Sequence, residues 1–131
     1  MAPGRPFQYL IVRVVPRIER GEQLNAGVVV YSPTLDFLAA RVGLDERRLE
    51  ALAPDCDAAA VRPHLEAVAA IAAGDPAAGG PIAHLERGER FHWLAAPSST
   101  MIQPSAIHTG FSDRPQETLD RLFGELVQMA G

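Results

Sequence analysis

Residues 7–15 are β-branched and apolar on both faces at their middle, where Leu10, Ile11 and Val12 follow one another. A run of that kind predicts a central strand covered on both sides rather than an edge. Pro16 stops it, and residues 16–23 form a polar connection. Residues 26–31 predict a second strand, and Asn25 and Gly27 at its start predict a bulge or a close backbone approach. Ser32, Pro33 and Thr34 mark a turn, and residues 37–42 complete a hairpin. Strands that follow one another without helical crossovers are expected to be antiparallel.

The middle of the chain turns helical. Asp45 is placed to cap a short helix ending before Pro54, with Leu44 and Leu49 as its hydrophobic staple. Asp57 is placed to cap a longer one to about residue 73, with Val61, Leu65, Val68 and Ala72 as its stripe and Gly74 as its stop. Residues 75–81 read as a mobile Gly/Pro/Ala loop, and residues 81–86 as a short helical turn. Phe91, His92, Trp93 and Leu94 form an aromatic knot before Pro97. Residues 99–103 then predict a strand, extended by residues 107–110, which Pro104 confines to a sheet edge. The last helix is expected to be capped by Asp113, with Gln116 in a capping box and Leu119, Leu122, Phe123 and Leu126 along the buried face.

The fold class expected from these elements is α+β: a small antiparallel sheet of three N-terminal strands plus a late edge segment, packed with helices that include a C-terminal one. The 131 residues fit one domain, with residues 1–6 as a flexible N-terminal arm.

Composition narrows the function. The chain carries 12 basic and 16 acidic residues, net −4, and every basic residue is arginine. An acidic domain is a poor generic nucleic-acid binder, because phosphate neutralisation needs a basic surface. Cys56 is the only cysteine, which excludes an internal disulfide and a cysteine-based zinc site. The short aliphatic runs predict no membrane span and no signal peptide, so a cytoplasmic location is the expectation. No phosphate-binding glycine loop occurs, and the four histidines lack the spacing of a helical metal site; neither a metal nor another cofactor is expected.

Two polar clusters are the candidate chemistry. The first is Arg20, Gly21 and Glu22 with Asn25 and Gly27: an arginine and a carboxylate beside a flexible glycine can hold a polar ligand, or can pair in a solvated loop while Asn25 satisfies backbone groups at the bulge. The second runs through Ser98, Ser99, Thr100, Gln103, Ser105, His108 and Thr109. Its hydroxyls, amide and imidazole can surround an anion, or can repair a backbone interrupted by Pro97 and Pro104. A triad can be drawn from Ser99, His108 and Asp113, without the nucleophile elbow such hydrolases use. The ligand- or partner-binding candidates are thus Arg20, Glu22, Asn25, Ser99, Gln103, His108 and Thr109. Arg13 shares a strand face with Tyr9 and Ile11; an unpaired buried charge costs on the order of several kcal/mol, so Arg13 is expected to be paired, with Glu22 as the expected partner.

The same clusters carry a family resemblance. Residues 20–31, Arg-Gly-Glu-Gln-Leu-Asn-Ala-Gly-Val-Val-Val-Tyr, resemble the N-terminal signature of the bacterial domain of unknown function 3037. Residues 90–94, Arg-Phe-His-Trp-Leu, and 99–110, Ser-Thr-Met-Ile-Gln-Pro-Ser-Ala-Ile-His-Thr-Gly, resemble its C-terminal signature. The resemblance implies a small stand-alone bacterial protein with no activity to carry over, and an accessory role beside a HipA-like kinase encoded nearby. Relatives often carry a basic residue after the proline at position 97; here it is Ser98, which departs from an anion-binding role there.

Two functions therefore stand: a non-catalytic partner or regulatory module, and a small enzyme or polar-ligand-binding protein using residues 20–25 and 99–108. Convergence of those two segments beside a pocket favours the second; separation favours the first.

Overall fold

The structure is a computed structural model that describes residues 4–98 and 100–128. Strands β1 (Arg5–Val14), β2 (Leu24–Ser32) and β3 (Phe37–Val42) form an antiparallel meander. On its other side β1 pairs with two short strands in tandem, β4 (Ile102–Pro104) along residues 12–14 and β5 (His108–Ser112) along residues 5–9. The run at Leu10–Val12 is thus a central strand, as its two-faced apolarity requires. It begins at Arg5, earlier than the sequence pattern predicts, because Ser112 and Phe111 of β5 pair with Arg5 and Pro6.

Alternation along β1 and β2 splits the core in two. On one face Leu10, Val12, Val14, Leu24 and Val29 meet Leu49 of α1 (Glu46–Leu52), Val61, Leu65 and Ile71 of α2 (Ala58–Ala73), and Phe91 and Leu94 of α4 (Arg87–Ala95). Between α2 and α4, residues 76–79 form one short turn, α3 (Pro76–Gly79). On the other face Phe7, Val28 and Val30 meet Leu119, Leu122 and Phe123 of α5 (Pro115–Phe123), and Val127 of the wider turn that continues it.

The bulge falls where Asn25 and Gly27 place it. Val12 faces Gly27 and Arg13 faces Asn25, so Ala26 is the extra residue on β2. Gly27 is needed there: a Cβ would come within 2.9 Å of Val42 Cγ1 and 3.0 Å of the Arg41 carbonyl oxygen. Asp45 and Asp57 cap their helices, accepting from the backbone N–H groups of Arg47 and Arg48, and of Ala59. Gly74 ends α2 in the left-handed region at φ 74°, a conformation that glycine adopts without a Cβ penalty.

Three local expectations are corrected. The loop expected at residues 75–81 holds a helical turn, because Asp75 accepts from the Ala77 N–H and Pro76 takes the first helical position. The aromatic knot lies inside α4, which lacks a side-chain N-cap and so a start signal; Phe91 and Leu94, three apart, are its buried face. Asp113 does not cap α5. It pairs with Arg5, while the Ser112 hydroxyl accepts from the Arg114 N–H at 3.0 Å and from the Thr118 hydroxyl at 2.8 Å.

Candidate functional site

The second polar segment builds the outer edge of the sheet. Between β4 and β5 the ladder on β1 would break, and buried Ser105 closes it. Its N–H donates to the Ile11 carbonyl at 2.8 Å, and its hydroxyl accepts from the Ile11 N–H at 2.8 Å. The same hydroxyl donates to the Ala106 carbonyl at 2.8 Å. The Val15 N–H donates to the Met101 carbonyl at 2.7 Å. Inward-facing groups alternate along a strand, so residues 101, 103 and 105 turn their backbone to β1, and Ile102 and Pro104 face outward. The N–H that Pro104 lacks is one that no neighbour needs. Ser105→Ala leaves the buried Ile11 N–H without a partner. It is expected to cost about 1–3 kcal/mol, read as a lower melting temperature.

Gln103 donates to the Thr100 carbonyl at 2.9 Å, which ties the turn before β4. Ser98 and Thr100 bond to each other at 2.8 Å, and the Thr100 hydroxyl donates to the Ile102 carbonyl. Ser99 lies outside the described residues. His108 and Thr109 are exposed on β5, with His108 stacked on Tyr9 at 5.0 Å between ring centroids. His108→Ala is expected to change stability by no more than about 0.5 kcal/mol, the range of exposed positions, in the same melting series.

The first segment divides. Arg20 and Glu22 hydrogen-bond to each other in the loop after β1, and that bond, with the Glu22 charge, holds the Arg20 guanidinium above its ordinary pKa. Together with Arg17 and Asp55, themselves paired at 3.2 Å, they line a polar cleft of about 340 Å³ floored by Leu52, Ala53 and Pro54. No described residue of 98–109 lines that cleft. The loop leaves the C-terminal end of β1, whereas β5 runs along its N-terminal half, so Arg20 and Glu22 are not brought beside His108 and Thr109. Asn25 instead turns to the end of the chain, its Nδ2 donating to the Leu126 carbonyl at 3.0 Å.

The expected Arg13–Glu22 pair does not form, because Arg20 takes the Glu22 carboxylate. Arg13 lies half-buried in the middle of three strands, opposite Asn25 on β2 and Gln103 on β4. Directly opposed residues share a sheet face, so Asn25 and Gln103 lie on the same face as Arg13. Its Nε is buried without a hydrogen-bond partner among the described residues.

The Asp113 carboxylate is held by Arg5 at 3.0 Å, and His108 faces Tyr9 rather than Asp113. Among the described residues, no cluster of three or more His, Cys, Asp or Glu side chains is placed to hold a metal ion. No helix of the described residues is long and apolar enough to cross a membrane.

Sequence reasoning missed the apolar residues that this edge exposes. Phe111 on β5 is 61% exposed, and Ile107 just before it 39%. Trp93, 51% exposed, stands at the rim of an apolar cleft of about 490 Å³ beside β4, lined by Val68, Ile71, Leu94 and Ile102 among others. The available signal was an isolated aromatic in a polar strand, which periodicity alone cannot separate from a core position.

The sequence model of one family, described as protein of unknown function (DUF3037), matches residues 9–127. That span covers nearly the whole chain, which therefore belongs to this family. Neither the curated proteins nor the solved structures that were searched gave a match.

Proposed function

We propose, with membership of that family as the premise, that the chain is a non-catalytic accessory module that binds a protein partner along β5. The observation that supports this reading is an undefended sheet edge. Natural sheets guard their edges with charge, proline, bulges or a covering element. Residues 108–112, His-Thr-Gly-Phe-Ser, contain no formally charged residue and no proline. Among the described residues no strand pairs with the outer side of β5. An extended partner segment can add there as a further strand, with backbone hydrogen bonds for affinity and Phe111 as the side-chain anchor.

The opposite edge is different. On β3, Arg41 is tied to Asp120 at 3.2 Å and its guanidinium lies 4.4 Å from the Phe123 ring centroid, so a charged, committed side chain guards it. The partner implied by the family is the product of a neighbouring gene, a HipA-like kinase, and the setting is the bacterial cytoplasm.

The test is co-expression of the chain with that kinase, followed by affinity measurement. Phe111→Glu is expected to weaken binding by about 2 kcal/mol or more, as for an aromatic anchor at an interface. It should leave the melting temperature nearly unchanged, because the ring is solvent-facing. Binding that is indifferent to Phe111→Glu would remove the edge from the account.

A further inference from the structure

We infer that Arg13, framed by Asn25 and Gln103, is a receptor for a carboxylate on an acidic side chain of the partner; this rests on the reading that the chain docks a protein. Eight of the twelve arginines are paired with carboxylates of the described residues. Of the other four, Arg47 and Arg87 are exposed, and Arg90 donates to the Ala83 carbonyl at 3.3 Å. Arg13 is the half-buried one with neither an ion pair nor a hydrogen bond to its guanidinium among the described residues.

Its neighbours do not neutralise it. Asn25 and Gln103 commit one amide N–H each, to the Leu126 and Thr100 carbonyls. Each amide keeps a second N–H and its side-chain oxygen, and both residues share the sheet face of Arg13. The planar guanidinium fork matches a planar two-oxygen anion. The site offers a single positive charge, which suits a monoanionic carboxylate better than a phosphate dianion.

The source of the carboxylate follows from shape. The clefts beside the loop after β1 and beside β4 are not lined by Arg13, Asn25 or Gln103. A small free acid needs a concave pocket that buries most of its surface. A carboxylate carried by a protein brings its own enclosure. Tyr9 and His108 lie on the same face but four residues along β1, about 13 Å away, too far to touch the same group.

The test needs no partner at first. The arginine Nε–Hε resonance that disappears in Arg13→Gln identifies the group by NMR. Titration with blocked glutamate, a weak stand-in for the partner's side chain, should move it. Blocked glutamine, and sodium chloride at equal ionic strength, should not. A resonance that stays still, or that answers chloride equally, overturns the proposal; a larger response to inorganic phosphate overturns the carboxylate assignment. Arg13→Lys, which keeps the charge but not the fork, covers the case in which Arg13→Gln does not fold, and should weaken the response to blocked glutamate. In the co-expressed complex the same variant should reduce partner affinity by about tenfold or more, a range seen when one member of a buried charge pair is cut back. Partner binding that depends on Phe111 but not on Arg13 overturns this inference alone and leaves the edge reading in place.

Discussion

Phe91→Ala is expected to cost about 3–5 kcal/mol, among the largest single losses available to this chain. Phe91 is fully buried and stacks on Tyr31 of β2 at 5.0 Å between ring centroids. It belongs to the cluster that joins α1, α2 and α4 to one face of the sheet. Removing the ring takes away its transfer free energy and leaves a cavity that rigid strand and helix backbones close only in part. The α4 backbone already approaches closely: a Cβ on Gly88 would come within 3.1 Å of the Tyr31 hydroxyl. Chemical denaturation should show a lower midpoint with an unchanged slope. A loss below about 1 kcal/mol would mean that α4 is not docked where the structure has it.

Leu122→Ala and Phe123→Ala, on the opposite face, are each expected to cost about 2–5 kcal/mol. Both residues are buried against Phe7, Val28 and Val30. Phe123 also carries the Arg41 guanidinium over its ring, and its edge lies 3.0 Å from where a Cβ on Gly43 would be. Arg41 adds a contribution of roughly 0.5–1 kcal/mol at an exposed site. Phe123→Leu should recover much of the loss, since volume-preserving apolar exchanges are tolerated best. A melt in which neither alanine variant loses stability would detach α5 from the sheet.

These two faces also show what the sequence made legible. Strands with period-two or two-faced apolarity were readable in β1, β2 and β3. Helices with a capping aspartate were readable in α1 and α2. The helix without a capping side chain, α4, was not, because its aromatic cluster looks the same in a strand or a helix until a start signal fixes the period. The late edge segment expected at residues 99–103 with an extension at 107–110 is two separate strands, since buried Ser105 substitutes a hydroxyl for the backbone pairing at the join.

The candidate residues fared unevenly for a physical reason. A polar residue type names the bonds it can make but not whether backbone or ligand will receive them. Asn25 and Gln103 each give a hydrogen bond to a main-chain carbonyl, and Arg20 and Glu22 spend their charges on each other. Arg13 was singled out for its charge inside an apolar strand. Its surroundings depend on register, which places Asn25 and Gln103 beside it from positions far apart in sequence.

Hydrogen–deuterium exchange on the co-expressed complex tests the account most directly. In the isolated chain the outward-facing amides of residues 108–112 should exchange rapidly, as unpaired edge groups do. In the complex they should become protected, together with the amide of Ile107. Protection confined to α1, α2 or the loop at residues 16–23, with residues 107–112 exchanging as in the free chain, would contradict it.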